Sequence, residues 1–221
     1  MAKMRGSALV DGMSGKIGNA VFVAGKGGQT YIRVCVTPRN PQTAAQRASR
    51  NRLTDANRAF KTLNADEYAQ WRKYAQDIDA DVNPSCLLSA PNVHNVYVGL
   101  ALKLLQINPS ATLPRTPPTF RFMGDGIKVS ATGGVGKVMF TATGSNTPEV
   151  LTELLLQRVT FAFATPMLQH YRHQAFYPFP DNPLSYDVTI LKGYYATAIR
   201  FVHAPTGQVS ALAQLGVVTV T

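Results

Sequence analysis

Hydrophobic and polar positions change period twice along this chain. Between residues 17 and 36 the pattern has period two: Ile32, Val34 and Val36 alternate with Tyr31, Arg33 and Cys35, giving one apolar and one mixed face. The β-branched and aromatic runs at 17–23 and 29–36 flank Gly25-Lys26-Gly27-Gly28, so they predict a β-hairpin. Pro38 and Pro41 then bias Thr37 and Asn40 toward extended geometry and delay any helix until Pro41.

From residue 42 the period becomes helical. Leu53, Ala56, Phe60 and Leu63 form one stripe, and Arg47, Arg50 and Arg58 fall in a narrow arc on the opposite side. Asn64 and Glu67 have capping-box spacing and open a second helix whose apolar stripe is Tyr68, Trp71, Ala75 and Ile78. Asp77, Asp79 and Asp81 close that pattern before Asn83-Pro84, and a third helix begins near Pro91 with Val93, Val96, Tyr97, Leu100, Ala101 and Leu104 on a broad buried face.

Residues 108–118 contain four prolines and predict a stiff linker at a domain boundary. Beyond it, strands are predicted over 120–123, 127–131, 137–143, 154–163, 185–191, 196–203 and 215–221, with a short helix over 149–157 as the competing reading. The fold class is therefore α+β. A basic arm and β-hairpin span 1–40, a three-helix segment 41–108, a Pro-rich linker 109–118 and a C-terminal antiparallel β-sandwich of immunoglobulin or fibronectin type III-like character 119–221.

Charge adds a partner class to this layout. Of a formal net charge of +10, the first 60 residues supply +8, from ten Lys/Arg against two Asp. That balance implies attraction to nucleic acid or an acidic protein surface. With 45% hydrophobic and only 15% charged residues, the chain has enough apolar material to fold. Met1 to Arg5 lacks a signal-peptide core and no run approaches a membrane span, so a soluble protein made in a cytoplasm is expected. Cys35 and Cys86 are too few for a disulfide scaffold and are read as plain buried or half-buried thiols.

Candidate chemistry mostly dissolves on inspection. Gly15-Lys16 and Gly25-Lys26 lack the remaining residues of a phosphate loop. His170 and His173 have no accompanying Cys, Asp or Glu cluster for a metal. The Asp77, Asp79, Asp81 alternation lacks the Gly and Glu of a calcium loop. No Gly-x-Ser-x-Gly elbow occurs. Accordingly no catalytic, cofactor-binding or metal-ligating residues are assigned, and a non-enzymatic protein without cofactors is expected. Interface residues toward an acidic partner are assigned to Arg33, Arg39, Arg47, Arg50 and Arg58, and an aromatic contact loop to Tyr171, Phe176, Tyr177 and Phe179.

Two resemblances extend this reading. The run Leu191-Lys192-Gly193-Tyr194-Tyr195-Ala196-Thr197-Ala198-Ile199-Arg200, followed by Pro205-Thr206-Gly207, resembles the tyrosine corner, penultimate strand and final turn of fibronectin type III-like domains. In the first 75 residues, Ser14-Gly15-Lys16-Ile17-Gly18-Asn19-Ala20-Val21-Phe22, then Pro38-Arg39-Asn40-Pro41-Gln42-Thr43-Ala44-Ala45-Gln46, then Leu63-Asn64-Ala65-Asp66-Glu67-Tyr68-Ala69-Gln70-Trp71 is similar to a layout of largely uncharacterised phage and prophage-type proteins. That similarity implies a structural protein of a bacteriophage virion, associated with head, neck or tail and assembled in the host cytoplasm. Its implied partners are other virion proteins in a symmetric homo-oligomer, with no membrane. The alternatives are a basic accessory protein contacting DNA through the same arginines, and a host-adhesion module using the sandwich.

Overall fold

The computed structural model describes residues 2–4, 14–24, 29–37, 40–82 and 92–221. It divides into two compact units, Met1–Gln46 and Arg47–Thr221. The architecture is α+β, with N-terminal strands, three helices and then antiparallel sheets.

The first unit holds β1 (Ala2–Met4), β2 (Gly15–Ile17), β3 (Ala20–Ala24) and β4 (Thr30–Val34) in one antiparallel sheet of order β1-β4-β3-β2. The strand expected over 17–23 is broken at Gly18, whose φ of +56° makes the tight turn between β2 and β3. The turn expected at 25–28 lies outside the described residues, as do Pro38 and Arg39. The Thr43 hydroxyl accepts from the Gln46 N–H, and the Gln46 side chain accepts from the Thr43 N–H, so the Thr-x-x-Gln spacing is a capping box opening α1 (Ala44–Lys61).

The Asn64 and Glu67 box forms as expected, with both reciprocal bonds at 2.8 Å, and opens α2 (Ala65–Val82). The Asn92 side chain caps α3 (Val93–Ile107) by accepting from the His94 N–H. Ala56, Trp71, Tyr97, Val98 and Ala101 form the core between the helices. The rings of Trp71 and Tyr97 meet edge to face at 4.9 Å.

β7 (Val150–Val159), β8 (Arg172–Tyr177), β10 (Gly193–His203) and β11 (Ala213–Val220) make one sheet, in the order β11-β10-β7-β8. β5 (Val129–Gly134), β6 (Lys137–Ala142) and β9 (Ser185–Thr189) make a second, in the order β5-β6-β9. Val138, Phe140, Leu154, Leu156, Val188 and Ile199 fill the space between the sheets, so the pair is sandwich-like. Tyr195 donates its hydroxyl to the Leu191 carbonyl at 2.9 Å, the geometry of a tyrosine corner.

The strand expected over 154–163 forms as β7, beginning earlier at Val150, and the competing helix over 149–157 does not form; β7 is covered on both faces, which removes the alternation that marks a strand. Two expectations are corrected. Residues 120–123 form no strand, whereas 172–177 do. Finally, the Pro-rich segment is not a domain boundary, because the helices and both sheets belong to one compact unit. Leu113 packs into the helical cluster, and the Trp71 indole N–H donates to the Arg115 carbonyl at 2.8 Å.

Candidate functional site

The sheet of the first unit has two chemically different faces, set by register. Cross-strand partners share a face, so the rows Gly15–Phe22–Ile32 and Ile17–Ala20–Val34 lie on one side and the row Lys16–Val21–Arg33 on the other. The first side carries no charge in these rows. Ile17 is 67% and Val34 71% exposed, while Phe22 and Ile32 are half-buried. Of residues 14–24, 29–37 and 40–46, Thr30 is buried and no apolar side chain is. Strands β2 to β4 therefore bury no apolar core of their own. Marginal two- to four-stranded sheets need an apolar face covered to be stable.

The assigned arginines fall in different places. Arg33 is exposed on the same face of this sheet as Lys16, with Val21 between them, and Arg39 lies outside the described residues. Arg47, Arg50 and Arg58 are all exposed on α1, and Arg58 pairs with Asp55 at 3.6 Å one turn away. The first eight residues of α1 are exposed all round, which leaves this stretch of the helix with a basic face and no covered one. Of the thiols, Cys35 is half-buried and free, and Cys86 lies outside the described residues.

The aromatic contact loop is overturned. Phe179 is fully buried in the core between the sheets, and Tyr171 is buried against Leu155, Ala196 and Ala198. Burial pushes the Tyr171 hydroxyl up from its ordinary pKa. Tyr177 packs on Phe179 and Tyr186, with centroids 4.9 and 4.5 Å away, and Phe176 lies under the Lys103 ammonium at 5.3 Å. Pairing of β8 with β7 turns this segment into a strand and its rings into packing groups. The exposed rings come earlier: Phe161 is 56% and Phe163 94% exposed, in the connection from β7 to β8.

Sequence reasoning also missed a buried ionic cluster. Glu153, whose side chain is 1% exposed, sits on the outer face of the four-stranded sheet, where it accepts two bonds from the Lys103 ammonium of α3, at 3.1 and 3.0 Å. It also accepts from Arg200 Nε on β10 and lies 3.0 Å from His173 Nδ1 on β8. Burial raises the Glu153 pKa, but hydrogen bonds from His173 and Arg200 and the charges of Lys103 and Arg200 outweigh it and hold the carboxyl at about 2. For Lys103 burial dominates, with repulsion from Arg200 and Arg52 adding to it, so its pKa is lowered despite Glu153. One carboxylate shared by three donors clamps α3 to the sheet. The signal in the sequence was a lone Glu inside the apolar run Val150–Val159, since such a residue is rarely buried unpaired.

The remaining candidates have packing roles. His94 bonds Asn57 at 2.7 Å, and His203 bonds Thr206 at 2.9 Å, meets the Phe120 ring edge to face at 5.1 Å and lies tilted against Phe122 at 5.7 Å. Among the described residues no cluster of His, Cys, Asp or Glu is arranged to hold a metal, and no helix is long and apolar enough to cross a membrane. A cavity of about 360 Å³ lies between α2, α3 and the connection from β10 to β11, lined by Tyr74, Ile78, Leu100, Phe122, Gln208 and Val209 among others.

No protein-family model matches the chain, and no curated protein matches it. Among solved structures, the chain shows a likeness to the PmoD soluble domain from Methylocystis sp. ATCC 49242 (Rockwell), with 14% identity, 45% of this chain and 94% of that one covered, and a TM-score of 0.27. It shows another to entomopoxvirus fusolin in complex with zinc, with 13% identity, 82% and 67% covered, and a TM-score of 0.28. Neither likeness is close enough to carry an argument about this protein.

Proposed function

We propose that this protein is a non-enzymatic structural subunit of a bacteriophage particle, associated with head, neck or tail, that assembles through protein–protein contacts with copies of itself. The observation carrying the reading is the uncovered apolar face of the N-terminal sheet, with Ile17 and Val34 about two-thirds exposed in a unit whose residues 14–24, 29–37 and 40–46 include no buried apolar side chain. Burial of that face against a neighbouring subunit supplies the core the unit lacks. The motif similarity of the first 75 residues adds the phage context. From strand spacing the face measures roughly 15 by 16 Å, well below a standard interface, so a single contact is weak and repetition in a symmetric particle sustains it.

One observation favours a second reading. The exposed Arg47, Arg50 and Arg58 on α1 suit a nucleic-acid-binding accessory protein.

Size-exclusion chromatography with light scattering, at low and high salt and with and without duplex DNA, separates the two. The structural reading expects concentration-dependent mass above the 24.0 kDa monomer, lost in Val34→Asp and indifferent to DNA. A protein that stays monomeric at every concentration and moves onto DNA only at low salt overturns it.

A further inference from the structure

One end of the paired sheets carries exposed apolar side chains on three neighbouring connections. β7 leaves its sheet at Val159, opposite Tyr194 at the start of β10, so the loop after β7 and the loop before β10 share that end. The first presents Phe161, Phe163, Met167 and Leu168, and the second Leu191, which is 78% exposed. The turn between β5 and β6 joins them: its Gly136 carbonyl accepts from the Ile190 N–H at 3.0 Å, and beside it Val135 is 83% exposed. The opposite end, where Val150 meets His203, lies against the helices through the Gln208 bond to Tyr74.

The exposure pattern within the loop is selective. Phe161 and Phe163 face out while the intervening Ala162 and Ala164 are half-buried, the reverse of what burial alone favours. The chemistry around these side chains narrows what covers them. Residues 154–180 and 188–221 contain no Asp or Glu, Asp187 beside the β5–β6 turn is neutralised by Lys137 at 2.6 Å, and Arg158 and Lys192 stand exposed at this end. Two copies of the end meeting face to face would therefore oppose like charges, and duplex DNA, whose bases are stacked on one another behind its phosphates, would leave the phenyl rings uncovered. An apolar, uncharged surface avoids both costs. The rows Gly15–Phe22–Ile32 and Ile17–Ala20–Val34 of the N-terminal sheet are such a surface in the same chain.

We infer that the Phe161–Phe163 end of one copy docks on the apolar face of the N-terminal sheet of the next copy. This rests on the reading of that sheet face as an assembly surface and names what covers it. The contact is heterologous, joining two different patches, so it propagates and closes into a ring or extends as a filament.

Complementation tests it directly with the full chain. Val34→Asp and Phe163→Asp each spoil one patch and leave the other intact, so each variant alone is expected to dissociate at concentrations at least about tenfold above the parent's. Mixed one to one, they regenerate one good junction and give a complex of twice the 24.0 kDa monomer mass by light scattering. Unchanged far-ultraviolet circular dichroism and melting temperature establish that both are folded, and Phe163→Ser repeats the test without adding a charge. A mixture that stays monomeric overturns the inference. If Phe163→Asp assembles like the parent while Val34→Asp does not, the inference fails and the sheet face stands; if both assemble, both readings fail. Retention of the parent, but not Phe163→Asp, on phosphatidylserine vesicles would assign the end to a lipid surface and overturn it too.

Discussion

Replacing Glu153 by Gln tests the ionic cluster that holds α3 to the sheet. The carboxyl titrates near 4.5 when unfolded and at about 2 in the folded protein. At roughly 1.4 kcal/mol per unit, this depression corresponds to about 3 kcal/mol of folding stability. Because the folded value is the lower one, the contribution is complete above the unfolded pKa and disappears as pH falls through the folded one. In the variant the amide leaves Lys103 and Arg200 without their counter-charge, with the Lys103 side chain only 12% exposed. The expected loss near neutral pH is about 3–5 kcal/mol. Urea unfolding followed by fluorescence of Trp71, the single tryptophan, reads it at a series of pH values. The gap between parent and variant should shrink by about 3 kcal/mol from about pH 6 to pH 2. Asp125 also titrates in acid: burial raises its pKa, but bonds from Asn146, Thr147 and Gly126 hold it below its ordinary value. It does so in both proteins and cancels in the difference. Parallel stability curves, or a variant as stable as the parent at neutral pH, would refute the reasoning.

Two further substitutions probe packing. Trp71→Ala empties a fully buried site and should cost about 3–5 kcal/mol, with Trp71→Phe losing less because only the bond to the Arg115 carbonyl and part of the ring go; thermal unfolding by circular dichroism checks both. Gly207→Ala places a Cβ 2.5 Å from the Leu100 carbonyl at a φ of +72°, and should cost more than Gly216→Ala, which shares the positive φ (+110°) but meets nothing within 4 Å; equal losses in urea would show that the approach of α3 to this turn is not tight.

How far the site was legible follows from the range of its interactions. The alternation of Ile32 and Val34 with Tyr31 and Arg33 placed the apolar face of the N-terminal sheet, because a period of two needs only neighbours along one strand. It does not show that Ile17 and Ala20 extend that face, since the pattern over 17–23 predicts one unbroken strand through the turn at Gly18 that brings them into register with Val34. The aromatic segment was misassigned for a related reason. Tyr171 and Phe179 are apolar residues among prolines whichever way they face, and only pairing of β8 on β7 decides that they are covered while Phe161 and Phe163 are not.

The sequence alone determined the succession of regions, N-terminal strands, then three helices, then antiparallel sheets, and the helix start at Asn64. Capping boxes at Thr43 and Asn64, the apolar stripes of α1 to α3 and the Tyr195 corner are local, each fixed by residues three or four apart. Tertiary structure alone decided that the Pro-rich segment joins the helices to the sheets in one unit, and that Glu153 gathers Lys103, His173 and Arg200 from 50, 20 and 47 residues away. Local signals are written in backbone geometry, which each short segment carries by itself. Burial and charge pairing depend on which distant segments the fold brings together, and no window of sequence contains both partners.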